Sequence, residues 1–144
     1  MTTVPIVELL DIELQYFSIC GRGEPIRLLL EDAGVAYVEK NDEEHFHAKK
    51  WDLDEYRFNQ MPRLKVNGFY LAQLDAILRY LAKATGYGGS GNLKDDAIVD
   101  MLQAACEDLH SAYSRNVYSA DAATLLPAFA KQYVPIVMKQ WSIY

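Results

Sequence analysis

Leu14-Gln15-Tyr16-Phe17-Ser18-Ile19-Cys20-Gly21-Arg22-Gly23-Glu24-Pro25-Ile26-Arg27-Leu28-Leu29-Leu30 opens the stretch that decides the fold, and residues 31–39 (EDAGVAYVE) complete it. Residues 14–19 (LQYFSI) are a short apolar and aromatic run that stops at Cys20-Gly21, the pattern of a buried strand. Pro25 fits the first turn of a helix, where its missing N–H costs little. Ile26, Leu28, Leu29, Leu30 and Ala33 supply a wide apolar face, and Gly34 can end the helix in the left-handed conformation. Residues 35–39 (VAYVE) then read as a second strand. A strand, a helix and a strand in this length predict a βαβ unit with parallel strands and a right-handed crossover.

Downstream, residues 41–59 are charged and aromatic and predict an irregular, partly helical segment. Residues 63–66 (RLKV) and 69–72 (FYLA) flank Asn67-Gly68, the strongest short-range hairpin signal. Leu74, Ile77, Leu78 and Leu81 restore helical periodicity over 74–83. The order β-α-β-α-β-β-α is a thioredoxin-like α/β arrangement. Four of the eight glycines fall within residues 86–92 (GYGGSGN), which marks a linker. The expected organisation is a domain over 12–84, a linker over 85–92 and an all-helical region over 93–144. In that region Ile98, Met101, Leu102, Ala105, Leu109, Ala112 and Tyr113 recur at helical spacing. A second helix is expected from Ala122 or Thr124, with Pro127 in its first turn and a kink at Pro135. Ile136, Val137, Met138, Trp141 and Ile143 leave so much apolar surface near Tyr144 that these helices are expected to need a partner: the first domain, another subunit, or more chain.

Lys and Arg number 14 against 20 Asp and Glu, a net charge of -6. With no basic cluster, nucleic acid is excluded as the main partner, because phosphate neutralisation needs clustered cations. No apolar run approaches a membrane span, and residues 1–11 (MTTVPIVELLD) lack a basic n-region and a cleavage pattern. Cys20 and Cys106 make no disulfide framework, so they read as reduced and intracellular. No CxxC, HExxH or Cys/His cluster points to a metal.

Three groups of residues could carry chemistry. Tyr16, at a strand end facing a helix N-terminus, sits in positive potential and could donate its hydroxyl to a thiolate; taken alone, it reads first as a core tyrosine with a satisfied hydroxyl. Gln60-Met61-Pro62 precedes a strand, where a cis peptide could turn the Met61 backbone outward to pair with an extended peptide. Gln73-Leu74-Asp75 begins a helix whose free N–H groups could bind a carboxylate. Gly21-Arg22-Gly23 is no dinucleotide fingerprint, since Ile26 stands where a third glycine is needed. His45 and His47 read as solvated.

Taken together, in this order and spacing, these groups resemble a known family. Tyr16-Phe17 with Gly21-Arg22-Gly23-Glu24-Pro25-Ile26-Arg27, Asn59-Gln60-Met61-Pro62-Arg63-Leu64, and residues 71–81 (LAQLDAILRYL) are similar to a cytosolic glutathione S-transferase of the tyrosine type, as in the pi, mu and sigma classes. The likeness continues through residues 97–101 and Glu107-Asp108-Leu109 to Tyr118. The resemblance implies that Tyr16 hydrogen-bonds the glutathione sulfur and favours the thiolate. It implies that Met61 and a cis Pro62 grip the cysteinyl unit, that Gln60 neighbours the glycyl end, and that Gln73 and Arg22 serve the γ-glutamyl end. Lys50 or Trp51 matches the residues at the glycyl carboxylate. Asp108 matches an acid that reaches the γ-glutamyl amine from the other subunit of a homodimer, and Tyr118 an aromatic residue of the electrophile site.

Two departures stand out. The family has Ser after the glutamine, and its hydroxyl and N–H both bind the γ-glutamyl carboxylate; Leu74 keeps only the N–H and is expected to place bulk beside that carboxylate. The family also continues with further helices, so the all-helical region here is expected to be incomplete. The implied function is conjugation of glutathione, as co-substrate, to a small hydrophobic electrophile in the cytoplasm. The alternatives are a glutathione-dependent isomerase of the sigma type and a non-catalytic binding or structural protein.

Overall fold

The computed structural model describes residues 8–143; the first seven residues of the 1–11 segment lie outside them. Two compact units divide the chain, one ending at Asp96 and the other running from Ala97.

In the first unit, β1 (Glu13–Gln15), α1 (Glu24–Asp32), β2 (Val38–Lys40), α2 (Glu43–Lys49), β3 (Arg63–Val66), β4 (Phe69–Ala72) and α3 (Leu74–Thr85) follow one another. The four strands lie in the order β2-β1-β3-β4. β1 and β2 are parallel, and the β1–β3 and β3–β4 pairs are antiparallel. This is the thioredoxin-like order expected from the sequence.

The strand alternation sorts side chains by face. Ile12, Leu14, Leu64 and Val66 point to one face and pack with Ile26 and Leu30 of α1 and with Leu74, Ile77, Leu78 and Leu81 of α3. That cluster is the apolar core, and burying it is the main favourable term for the unit. Glu13, Gln15 and Arg63 point to the opposite face, where Phe46 of α2 stacks edge-on to Tyr56, 5.3 Å between ring centres.

The hairpin forms where the sequence places it, with Asn67 at φ 49° and Gly68 at φ 81°; two successive positive φ angles are what a two-residue turn of this kind requires. β1 and β2 are shorter than expected, and hydrogen bonding explains both. Beyond Gln15, the Phe17 and Ile19 carbonyls accept from the Arg27 guanidinium, at 3.1 and 2.9 Å, rather than from a neighbouring strand. The Val35 amide is spent closing α1 onto the Leu30 carbonyl at 2.9 Å, so β2 starts three residues later than expected. Asp42 caps α2 by accepting from the His45 amide at 2.8 Å, which is why the charged segment begins as a helix.

The remaining elements are α4 (Leu93–Val117), α5 (Ala122–Ala128), a π-helical turn (Phe129–Tyr133) and α6 (Val134–Trp141). Asp95 and Asp96 occupy the first turn of α4, where the helix dipole favours acids. Pro127 lies inside α5 rather than in its first turn. Pro135 sits at the start of α6, and the wide turn before it takes up the irregularity, a common device at a break in the hydrogen-bond ladder. Val137 is buried, while Ile136, Met138 and Ile143 remain exposed. Among the described residues, no helix is long and apolar enough to cross a membrane.

Candidate functional site

Gln15 of β1 pairs with Arg63 of β3, and Arg63 pairs with Ala72 of β4. One step further along both antiparallel ladders lie Tyr16, Pro62 and Gln73. The three fall in a row at one end of adjacent strands, and α3 begins at its far side. Strands are spaced about 4.8 Å apart, so the row is about 10 Å wide. Three extended residues of peptide span a similar distance, about 10 Å.

Tyr16 is 8% exposed. Its hydroxyl accepts a hydrogen bond from the Arg22 amide at 2.9 Å. A phenol carries one donor and two acceptor positions, so this contact leaves its proton available to another group. The glycines of the following loop make the arrangement possible. A Cβ on Gly21, held at φ +40°, would stand 2.5 Å from the Tyr16 hydroxyl, and one on Gly23 would stand 2.4 Å from the ring's Cδ1. The Gly23 backbone is ordinary, at φ -77° and ψ -29°, so alanine there is opposed only by the ring. Gly23→Ala is therefore expected to destabilise the chain by about 1–3 kcal/mol through overpacking. Without the ring contact, this substitution would stabilise by about 0.4–1 kcal/mol, so the sign of the shift in a urea unfolding midpoint decides the matter.

Arg27 braces the same loop. Beyond its bonds to the Phe17 and Ile19 carbonyls, it donates to Glu39 at 2.7 Å and to Glu24 at 2.9 Å. Its guanidinium also lies 5.9 Å from the Tyr16 ring centre, within cation–π range.

The Met61–Pro62 peptide is cis. Gln60 is exposed and Met61 half-buried. Gln73 caps α3 with φ 72° and ψ 119°, a conformation that non-glycine residues rarely hold and that clusters at functional sites. Leu74 follows it as the first residue of α3, so its amide is one of the helix's free N-terminal donors. The leucine side chain is 9% exposed and belongs to the core cluster. The bulk expected beside a bound carboxylate is thus taken into the core instead.

Lys50 and Trp51 follow α2. The Lys50 ammonium lies 5.5 Å from the Trp51 ring centre, and its carbonyl accepts from the Asn59 amide group at 2.6 Å. Trp51 is 73% exposed. Asp108 on α4 and Tyr118, one residue past its end, are exposed members of the second unit.

Sequence reading passed over a charged cluster on the α2 face. Arg63 donates to Glu55 and, at 3.0 Å each, to Glu13 and Gln15. Its guanidinium lies 4.7 Å from the Tyr56 ring centre and 4.6 Å from that of Tyr70. His45, expected to be solvated, instead bonds Glu55 through Nε2 at 2.7 Å. The period-two alternation of polar Glu13, Gln15, Arg63 and Lys65 with apolar Leu14, Leu64 and Val66 carried the signal for this second face.

Burial alone would raise the Glu55 pKa, but the hydrogen bonds from His45 and Arg63, with their charges, outweigh it and hold the carboxyl below the ordinary 4.5. A carboxyl depressed in the folded state stabilises at pH above its unfolded value, and that stability is lost as pH falls through the folded value. Unfolding midpoints measured below pH 4.5 should therefore fall with pH, and Glu55→Gln should reduce the slope. An equal slope in both would remove Glu55 from the account. Burial pushes the Tyr56 phenol up to about 12, so it stays protonated throughout.

Among the described residues, no group of His, Cys, Asp and Glu is placed to hold a metal ion. The site's resources are a hydroxyl donor, backbone groups at a strand start and a helix N-terminus. Such a set suits an extended anionic peptide with one group to be kept as an anion.

Residues 12–83 match the sequence model described as "Glutathione S-transferase, N-terminal domain". A glutathione S-transferase of Dirofilaria immitis is 35% identical over 115 residues, covering 77% of this chain and 52% of the relative. Glutathione S-transferase P 1 of Xenopus laevis is 36% identical over 107 residues, covering 73% and 50%. Among solved structures, the pi-class glutathione S-transferase of Onchocerca volvulus superposes with a TM-score of 0.82 at 30% identity, covering 92% of this chain and 62% of that one. The chain spans about half the length of the curated relatives it matches.

Proposed function

The chain belongs to the glutathione S-transferase family, and from that premise we propose that it binds glutathione along the row Tyr16–Pro62–Gln73 and conjugates its sulfur to a small hydrophobic electrophile. The observation that carries the proposal is the Tyr16 hydroxyl, which takes the Arg22 amide as donor and keeps its own proton for a sulfur anion.

The chemistry follows from that proton. A free thiol has a pKa of about 8.5, and only the thiolate is a strong nucleophile. A hydrogen bond donated to the charged form favours it, so Tyr16 raises the fraction of glutathione present as thiolate at neutral pH. The thiol proton leaves to solvent. The sulfur lone pair then forms the new S–C bond, and the electrophile's leaving group departs with the electron pair of the bond that breaks.

The other residues hold the tripeptide. The Met61 backbone pairs with the cysteinyl unit, with Pro62 behind it. Gln73, Arg22 and the Leu74 amide take the γ-glutamyl carboxylate, which the dipole of α3 also favours. Gln60 and Lys50 or Trp51 serve the glycyl end. The family likeness assigns Asp108 of a second copy in a homodimer to the γ-glutamyl amine and Tyr118 to the electrophile. A conjugation assay with a chromogenic aryl halide tests the proposal. Turnover that saturates with glutathione supports it, and a folded chain with no turnover above the uncatalysed rate refutes it.

A further inference from the structure

The segment between α2 and β3 carries Lys50, Trp51, Gln60 and Met61, yet residues 50–62 contain no strand and no regular helix of their own. Its position rests on a few contacts. Tyr56 is buried against Phe46, Asn59 donates to the Lys50 carbonyl, and Glu55 meets both Arg63 and His45. Arg63 itself is 2% exposed, at the first residue of β3 and directly after Met61–Pro62. It connects the segment to β1 through Glu13 and Gln15, the latter being the residue before Tyr16. Gln15 in turn donates to the Asp42 carbonyl at the start of α2 at 3.0 Å.

We propose that Arg63 is a positioning residue for the glycyl half of the site: it pins the 50–62 segment to β1, so that Lys50, Trp51, Gln60 and Met61 are held in register with Tyr16. A guanidinium is suited to this task because its planar fork donates in several fixed directions at once, while a lysine ammonium is a point charge on a flexible stem. The two tyrosine rings, one from the segment and one from β4, hold the plane of that fork. The proposal rests on the reading of those four residues as glutathione contacts, but its geometric part stands without it.

Two variants test it, Glu55→Ala, which frees the segment from Arg63 and also from His45, with His45→Ala as the control for that second bond, and Arg63→Lys, which keeps charge and loses the fork. Trypsin supplies a readout that needs no glutathione, since Lys49, Lys50 and Arg57 lie within or beside the segment. Cleavage there is expected to quicken about tenfold or more in Glu55→Ala, the effect of one lost charge-assisted bond on a local opening. Helix content by circular dichroism should stay unchanged. For glutathione, KM should rise by about the same factor with kcat within about twofold, because uniform binding is lost and not the contact to sulfur. A globally weakened chain would instead lose both.

Unchanged proteolysis in Glu55→Ala overturns the proposal, as does a fall in kcat as large as the rise in KM. If Arg63→Lys does not fold, Glu55→Ala decides alone. If the parent chain fails to bind glutathione, the reading of the site fails, and the proteolysis still decides whether Arg63 pins the segment.

Discussion

Tyr16→Phe is expected to lower kcat for conjugation by about 10²–10³-fold, the usual result of deleting one preorganised donor to a developing or standing anion. The Kd for glutathione should change by less than about tenfold, because the proposed contacts of Gln73, Arg22, the Met61 backbone and the start of α3 would still hold the tripeptide. Phenylalanine keeps the ring that Gly21 and Gly23 accommodate and the contact with Phe17, 5.4 Å between ring centres. Only the hydroxyl and its bond with the Arg22 amide are lost. Stability should therefore shift little, and the split between kcat and Kd isolates the sulfur contact. Near-ultraviolet absorbance of the bound thiolate offers a second reading and should fall in the variant at neutral pH. Equal losses in kcat and affinity would mean that Tyr16 acts through binding or folding.

Leu74→Ser should act in two opposite directions. The leucine side chain is buried in the core with Ile77, Leu78 and Leu81. Truncating a buried leucine costs about 2–5 kcal/mol, depending on how far the site collapses. The serine hydroxyl would stand beside the Leu74-position amide at the N-terminus of α3, where a bound carboxylate can accept from both. A hydrogen bond to a charged group contributes about 1.5–3 kcal/mol, equivalent to roughly one to two orders of magnitude in Kd. The variant should thus unfold at lower urea while binding glutathione more tightly. An unchanged Kd in a folded variant would show that the hydroxyl has no carboxylate within reach.

Much of the fold was legible because local chemistry and tertiary structure agree. Asn67-Gly68 fixed the hairpin and its strand ends, and the apolar stripe of Leu74, Ile77, Leu78 and Leu81 fixed α3. The ends of β1 and β2 were not legible, since they depend on where Arg27 and the Val35 amide find acceptors. The row of Tyr16, Pro62 and Gln73 needs strand register, which no local pattern contains; the motifs proposed those residues, and the register aligns them. His45, Glu55 and Arg63 escaped for the same reason, as Arg63 meets Glu13 and Gln15 across 50 and 48 positions of sequence. The backbone of Gln73 could not be foreseen either, because nothing in a glutamine announces a positive φ. The placing of Pro127 inside α5 turned on a helix start at Ala122 and not Thr124, and a wide turn downstream absorbs the break.

In the proposed complex, glutathione lies across three strand ends with its sulfur at Tyr16. Calorimetric titration of the purified chain with glutathione tests it most directly. Saturable one-to-one binding in the micromolar to millimolar range is expected, weakened when Gln73 is replaced by alanine. A chain shown to be folded by circular dichroism that takes up no glutathione at millimolar concentration would contradict it.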